Sequence, residues 1–183
     1  RNFTPHTQIV LGYSGYERGK GWLHKRISFD ALFTSLRYLG FALAGKPYMG
    51  LGRNLAYRKE MFFKEKGYST HLNLQRGEDD LFINQIATPD NTRVETNSNA
   101  VIRMQPVERY KDWKEEKVSY MATARYFKGG QRYFLGFETF SRLLFYAVCT
   151  AGIAFGILNF HWLVAGIALF IWLIRYITQA IVI

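Results

Sequence analysis

The feature that most limits how this chain can fold is its carboxyl-terminal stretch. Leu143 to Leu158 carries no formal charge, Asn159-Phe160-His161 interrupts, and Trp162 to Ile174 resumes the apolar run. With the aromatic flank from Tyr133 included, the first run has about the 20 residues needed to cross a bilayer. The second reaches that length only with Arg175 inside it. Two abutting runs predict a transmembrane helical hairpin over 133–183, with 1–132 forming a separate domain before it. Arg175 either snorkels toward the returning interface, the favoured expectation, or faces protein. Arg125, Lys128 and Arg132 precede the first run, and the short turn holds no Lys or Arg. The positive-inside rule therefore places the preceding domain in the cytoplasm, on a multi-pass protein of the cell (inner) membrane.

The charge balance narrows the partners. Lys and Arg number 24 against 14 Asp and Glu, a net charge of +10 in 183 residues, and aromatics make up 17%. Such a chain favours anionic partners: a nucleotide, a nucleic acid or an anionic lipid surface. Nucleic acid is disfavoured, because the basic residues are spread among apolar helices and form no single stripe. A lone Cys149 excludes an internal disulfide, and four scattered histidines give no zinc spacing. The opening Arg1-Asn2-Phe3-Thr4-Pro5 has no Met and no apolar core behind its basic start, as expected of a chain that begins inside a longer one.

Several elements can be read in order. Gln8 to Leu11 reads as a buried strand, and Gly12 to Gly21 as a glycine-rich loop without the spacing of a phosphate-binding motif. Phe29, Leu32, Phe33, Leu36, Leu39 and Leu43 recur at helical period over 27–44. That stripe fits either a core helix or one lying in a membrane interface. Gly45-Lys46-Pro47 ends it. Leu55 and Tyr57 alternate with Asn54, Ala56 and Arg58 as in a strand, after Gly50 and Gly52, whose small size permits close approach to a ligand. Glu60 to Lys66 reads as a short helix closed by Gly67, and Ser69 to Arg76 as a polar loop. Thr92 to Thr96 and Ala100 to Met104 read as two short strands around Asn97-Ser98-Asn99. Tyr110 to Phe127 reads as a long polar helix.

Chemistry concentrates at Gly77-Glu78-Asp79-Asp80. Three carboxylates open the apolar run Leu81-Phe82-Ile83, at a loop-to-helix junction where the helix dipole stabilises negative charge. Acidic residues there are also ordinary first-turn residues. The neighbours add to the pattern: a Gly-x-Gly-x-Asn-x-Ala-Tyr-Arg-Lys segment at 50–59, Lys66-Gly67-Tyr68, Gly-Glu-Asp-Asp-Leu at 77–81, a strand pair ending at Pro106, a Trp-containing basic helix and the hairpin. This order resembles family 2 inverting glycosyltransferases, whose membrane-bound members include cellulose and hyaluronan synthases. It covers Gln8 to the end of the chain.

The resemblance implies an α/β architecture: the carboxyl half of a GT-A (Rossmann-like) glycosyltransferase domain, followed by two transmembrane helices. It implies a hexosyltransferase-type activity, of the kind that serves polysaccharide biosynthesis. A sugar passes from a nucleotide-sugar donor to a hydroxyl of a saccharide or lipid-linked acceptor, with inversion. Asp79 falls on the family's general base, with Glu78 and Asp80 as its neighbours. The family's Gln-x-x-Arg-Trp motif falls on Glu116-Lys117-Val118-Ser119-Tyr120. Here Glu replaces Gln, Ser replaces Arg and Tyr replaces Trp, which points to a simpler transferase than a processive synthase. Arg53 and Lys117 are candidates for the diphosphate and Asn54 for a sugar hydroxyl. Gly52 and Trp113 would border the site, and Tyr120 would stack a sugar. The family's Asp-x-Asp motif does not occur in this sequence. The main ligands of the expected Mg²⁺ or Mn²⁺ would therefore come from an absent amino-terminal half, and this segment alone would be inactive. No metal ligand is assigned here. The alternative from another class is a non-catalytic scaffold anchored in the membrane, with a basic face against anionic lipid.

Overall fold

The computed structural model describes residues 2–17, 19–68 and 77–182; the expected polar loop 69–76 lies outside the described residues. The chain is mixed α/β. It divides into two compact units, Arg1–Gly129 and Gly130–Ile183.

The first unit runs β1 (Ile9–Leu11), β2 (Ser14–Tyr16), α1 (Trp22–Leu43), β3 (Leu55–Tyr57), α2 (Lys59–Lys64), α3 (Glu78–Ile86), β4 (Thr92–Val94), β5 (Ile102–Met104) and α4 (Tyr110–Thr123). β1 is the centre of a three-stranded sheet. It pairs antiparallel with β3, Ile9 opposite Tyr57, and parallel with β4, Ile9 opposite Thr92. All three β1 residues are buried, which explains the unbroken apolar run. The segment 12–21 is more than a loop, because Ser14–Tyr16 pairs in parallel with β5. The strands at 92–94 and 102–104 are therefore not partners of each other. A 3-10 turn at Ser98–Ala100 separates them, and each joins a different sheet.

α1 buries a face that its apolar stripe does not mark. Ile27, Ser35 and Tyr38 are buried, while Leu36 and Leu43 are 61% and 68% exposed. Tyr38 anchors the helix by donating its hydroxyl to the Gly12 carbonyl at 2.7 Å. Burial pushes that phenol up to about 12, so it stays a neutral donor.

α3 starts three residues before the apolar run, at Glu78. Its N-cap, Gly77, is left-handed with φ 89°, a conformation that glycine adopts without penalty. A side chain there would also strike the Thr123 methyl at the end of α4. One turn on, Leu81, Phe82, Ile83 and Ile86 are buried. Each such side chain contributes about 1.5–3 kcal/mol on leaving water, enough to fix which way the helix faces. Gly50 lets the chain before β3 close on Leu11 and Ile83.

The second unit is two helices, α5 (Gln131–Leu158) and α6 (Trp162–Val182). Within α5, Tyr133–Leu158 is long and apolar enough to cross a membrane, and only 11% of its apolar window is buried. A core helix of a soluble protein would be mostly covered. The apolar part of α6 is shorter, Trp162–Thr178. The turn is closed by Phe160 in a left-handed conformation, φ 57°, with Asn159 Nδ2 donating to the Phe155 carbonyl at 3.0 Å. Small residues let the helices meet. A side-chain carbon on Gly156 would lie 2.6 Å from the Ala165 nitrogen, and one on Gly152 would lie 3.3 Å from Ala168 Cβ. Arg175 has aromatic rings of α5 beside it. Its guanidinium lies 4.3 Å from the Phe145 ring and 5.4 Å from Tyr146, so it turns toward aromatic faces of α5.

Candidate functional site

Three distant stretches of sequence meet at one cleft of about 390 Å³: Gly52, the junction Gly77–Asp80, and Glu116 with Tyr120. Their convergence follows from the fold. α3 begins against the end of α4 because Gly77 packs on Thr123, and Glu116 and Tyr120 lie one helical turn apart on α4. Gly52 reaches the junction because the chain before β3 is pinned to the core at Gly50.

Asp79 is half-buried at this meeting point. Tyr68 donates its hydroxyl to Asp79 Oδ1 at 2.7 Å. The other oxygen, Oδ2, lies directly over Gly52, where a side-chain carbon would overlap it. Burial raises the proton affinity of Asp79 and the Glu78 charge adds to this, while the Tyr68 hydrogen bond opposes both.

Asp80 has a different environment. The 100° turn per residue carries it away from Asp79 and into the core, where it is 2% exposed. Its Oδ1 has no hydrogen-bond partner among the described residues. Burial, with the neighbouring Asp79 and Glu78 charges, pushes this carboxyl up to about 8, against a smaller opposing effect of Arg53. Asp80 is therefore mostly protonated at neutral pH.

Arg53 stands beside the cleft. It forms an ion pair with Glu116 and donates to the Tyr16 hydroxyl at 2.9 Å. Its guanidinium lies 5.7 Å from the Tyr16 ring and 6.0 Å from Tyr120. The remaining expected site residues point elsewhere. Asn54 donates to the carbonyls of Tyr13 and Ala100 at 2.7 and 2.8 Å, tying the turn before β3 to the segments that lead into β2 and β5 of the second sheet. Lys117 bonds both Asp30 oxygens at 2.6 Å, linking α4 to α1. Trp113 meets the Arg26 guanidinium at 5.3 Å on that same α1–α4 contact. A residue one position from Glu116 on a helix faces about 100° away from it, which is why Lys117 misses the cleft.

Tyr68 and Tyr57 carry weight that the sequence does not announce. The tight turn of Lys66 and Gly67, both at positive φ, folds Tyr68 back toward α2. Its hydroxyl then lies 2.9 Å from that of Tyr57. Lys66-Gly67-Tyr68 marks a helix end, and nothing in it signals a contact to residue 79. Among the described residues no three His, Cys, Asp or Glu side chains form a group that would hold a metal ion. These residues alone do not make a ligand set for Mg²⁺ or Mn²⁺. Comparisons with protein-family models, curated proteins and solved structures return no match for this chain.

Proposed function

We propose that this chain is the carboxyl part of a membrane-bound inverting glycosyltransferase of GT-A type, with Asp79 as its general base. The observation that carries the reading is the meeting of Asp79, Gly52, Glu116 and Tyr120 in one cleft, with the second Asp79 oxygen resting on Gly52 at its lining. An acceptor hydroxyl is a weak nucleophile, so a carboxylate within hydrogen-bond reach must take its proton as attack proceeds. Asp79 Oδ2 takes that proton. The acceptor oxygen forms its bond to the anomeric carbon, and the bond to the nucleoside diphosphate breaks on the opposite face, its electron pair leaving with the diphosphate. Arg53 brings positive charge beside the cleft for that leaving group. The Tyr120 ring offers a face for a sugar. On this reading α5 and α6 cross the inner membrane as a hairpin, and the first unit lies in the cytoplasm.

The test is Asp79→Asn in the full-length natural chain, in membranes supplied with UDP- and GDP-sugars. Release of nucleoside diphosphate should fall about 10²–10⁴-fold, with donor binding retained. Turnover equal to that of the unaltered protein refutes the assignment and favours a lipid-docked scaffold, which has no use for a base at this position.

A further inference from the structure

We propose that Tyr68 is a positioning residue for Asp79: its hydroxyl, backed by that of Tyr57, holds one carboxylate oxygen so that the other faces the cleft over Gly52. The inference rests on the reading of Asp79 as a base. Tyr68 donates to Asp79 Oδ1 at 2.7 Å, which commits its only proton. The 2.9 Å contact between the two phenols then has Tyr57 as donor and Tyr68 as acceptor. The result is a directed chain, Tyr57 to Tyr68 to Asp79, in which each hydrogen bond polarises the next.

The rings are held as firmly as the hydroxyls. Tyr68 packs edge-on against Phe62 at 5.2 Å and Phe82 at 5.6 Å. Tyr57 lies 5.2 Å from Phe82 and 6.0 Å from Phe62, and the two phenylalanines are 5.6 Å apart. Four rings thus enclose one another. Phe82 is fully buried and sits three residues after Asp79 on α3, so the cluster is fixed to the helix that carries the base. A half-buried carboxylate otherwise has a freely turning χ2. With Oδ1 tied and Gly52 leaving room for Oδ2, one orientation is selected. The ionisable groups around Asp79 are Glu78 beside it on α3 and Asp80 behind it in the core, with Glu116 on the cleft lining and Arg53 beside the cleft. None of them is altered by removing the Tyr68 hydroxyl.

Tyr68→Phe keeps the ring and deletes the bond. Two readouts in the full-length protein decide the matter. The first needs no turnover: carbodiimide attacks protonated carboxyls, so the pH midpoint of Asp79 labelling, followed by mass spectrometry, reports its titration. Losing a charge-assisted donor disfavours the carboxylate, and the midpoint should rise by about one pH unit in Tyr68→Phe and by less in Tyr57→Phe. The second is turnover: the acid limb of the pH–rate profile should rise with the midpoint and kcat should fall roughly tenfold, with donor KM unchanged. An unmoved labelling midpoint in Tyr68→Phe overturns the proposal. So does a series in which only Tyr68→Leu, which opens the ring cluster, has any effect, since Tyr68 is then a packing residue. A raised midpoint alongside full turnover in Asp79→Asn leaves the positioning intact and overturns the base assignment instead.

Discussion

Replacing Asp80 with Asn tests whether the structure identifies a protonated acid in the core. Asp80 is 2% exposed, and burial pushes its carboxyl from 3.8 to about 8. The folded chain therefore holds a proton that the unfolded chain releases. For an acid raised in this way, the stabilising contribution is complete below the unfolded value and is lost as pH rises through the folded one. Between the two values each pH unit removes about 1.4 kcal/mol, flattening near 8. From about pH 6 to about pH 9 the loss from this one group is roughly 2–3 kcal/mol. Asn has nearly the same shape and no proton to lose, so Asp80→Asn should remove that slope. Thermal unfolding of the full chain in detergent, followed by tyrosine and tryptophan fluorescence across this window, measures it. The unaltered protein should lose roughly 10 °C in Tm between the two ends, and the variant should change little. At the acid end the two should agree within about 1 kcal/mol, since both carry a neutral group there. If the variant keeps the full pH slope, Asp80 is not the group responsible. If it is destabilised equally at every pH, the carboxyl makes a specific bond and is not merely neutral.

Two further expectations concern Gly52 on the cleft lining and Lys117 on the α1–α4 contact. Gly52→Ala places a methyl where Asp79 Oδ2 lies. The carboxylate can swing aside, so unfolding should shift by no more than about 1 kcal/mol, whereas turnover should drop about 10–100-fold because the base has moved. Unchanged turnover would show that the Oδ2 position is immaterial. Lys117→Met removes a pair with Asp30 whose two side chains are each about a third exposed, and should cost about 1 kcal/mol or less in denaturant unfolding. Donor KM should stay the same; a rise would mean that Lys117 leaves Asp30 to meet a diphosphate.

Which parts of the chain are legible from sequence depends on whether the deciding contact is local. The buried β1, the helix opening at the acidic run and the apolar α5 each follow from a pattern within one segment. The face of α1 does not, because Tyr38 binds the Gly12 carbonyl and buries a face that the apolar stripe does not mark. That β4 pairs with β1 and β5 with β2 escapes for a similar reason: alternation marks a strand without naming its partner. At the site, the small residue at position 52 was legible as a place of close approach. What approaches within this chain is the Asp79 carboxylate. Asn54 and Lys117 have the right chemistry for a ligand, yet their partners are carbonyls and a carboxylate on other elements, which no spacing reveals. The Tyr57–Tyr68–Asp79 chain is harder still to see, since it joins a strand, a turn and a helix start.

The three consecutive carboxylates have the same chemistry in sequence and separate only through the helix geometry. One residue of rotation sets Asp79 against Gly52 and the next buries Asp80. If all three ionised, together with Glu116, four negative charges would crowd this junction with Arg53 paired to one of them. Repulsion from its neighbours would then raise the proton affinity of the base still further. Keeping the Asp80 proton removes one of those charges from beside Asp79, and the Tyr68 bond further favours its carboxylate form. The pairing has a consequence for Asp80→Asn beyond stability. Because the neutral amide copies the protonated acid, the acid limb of the turnover profile, set by Asp79, should stay where it is. On the alkaline side, where the unaltered chain gains a second charge beside its base, the variant should hold its structure and its rate to higher pH.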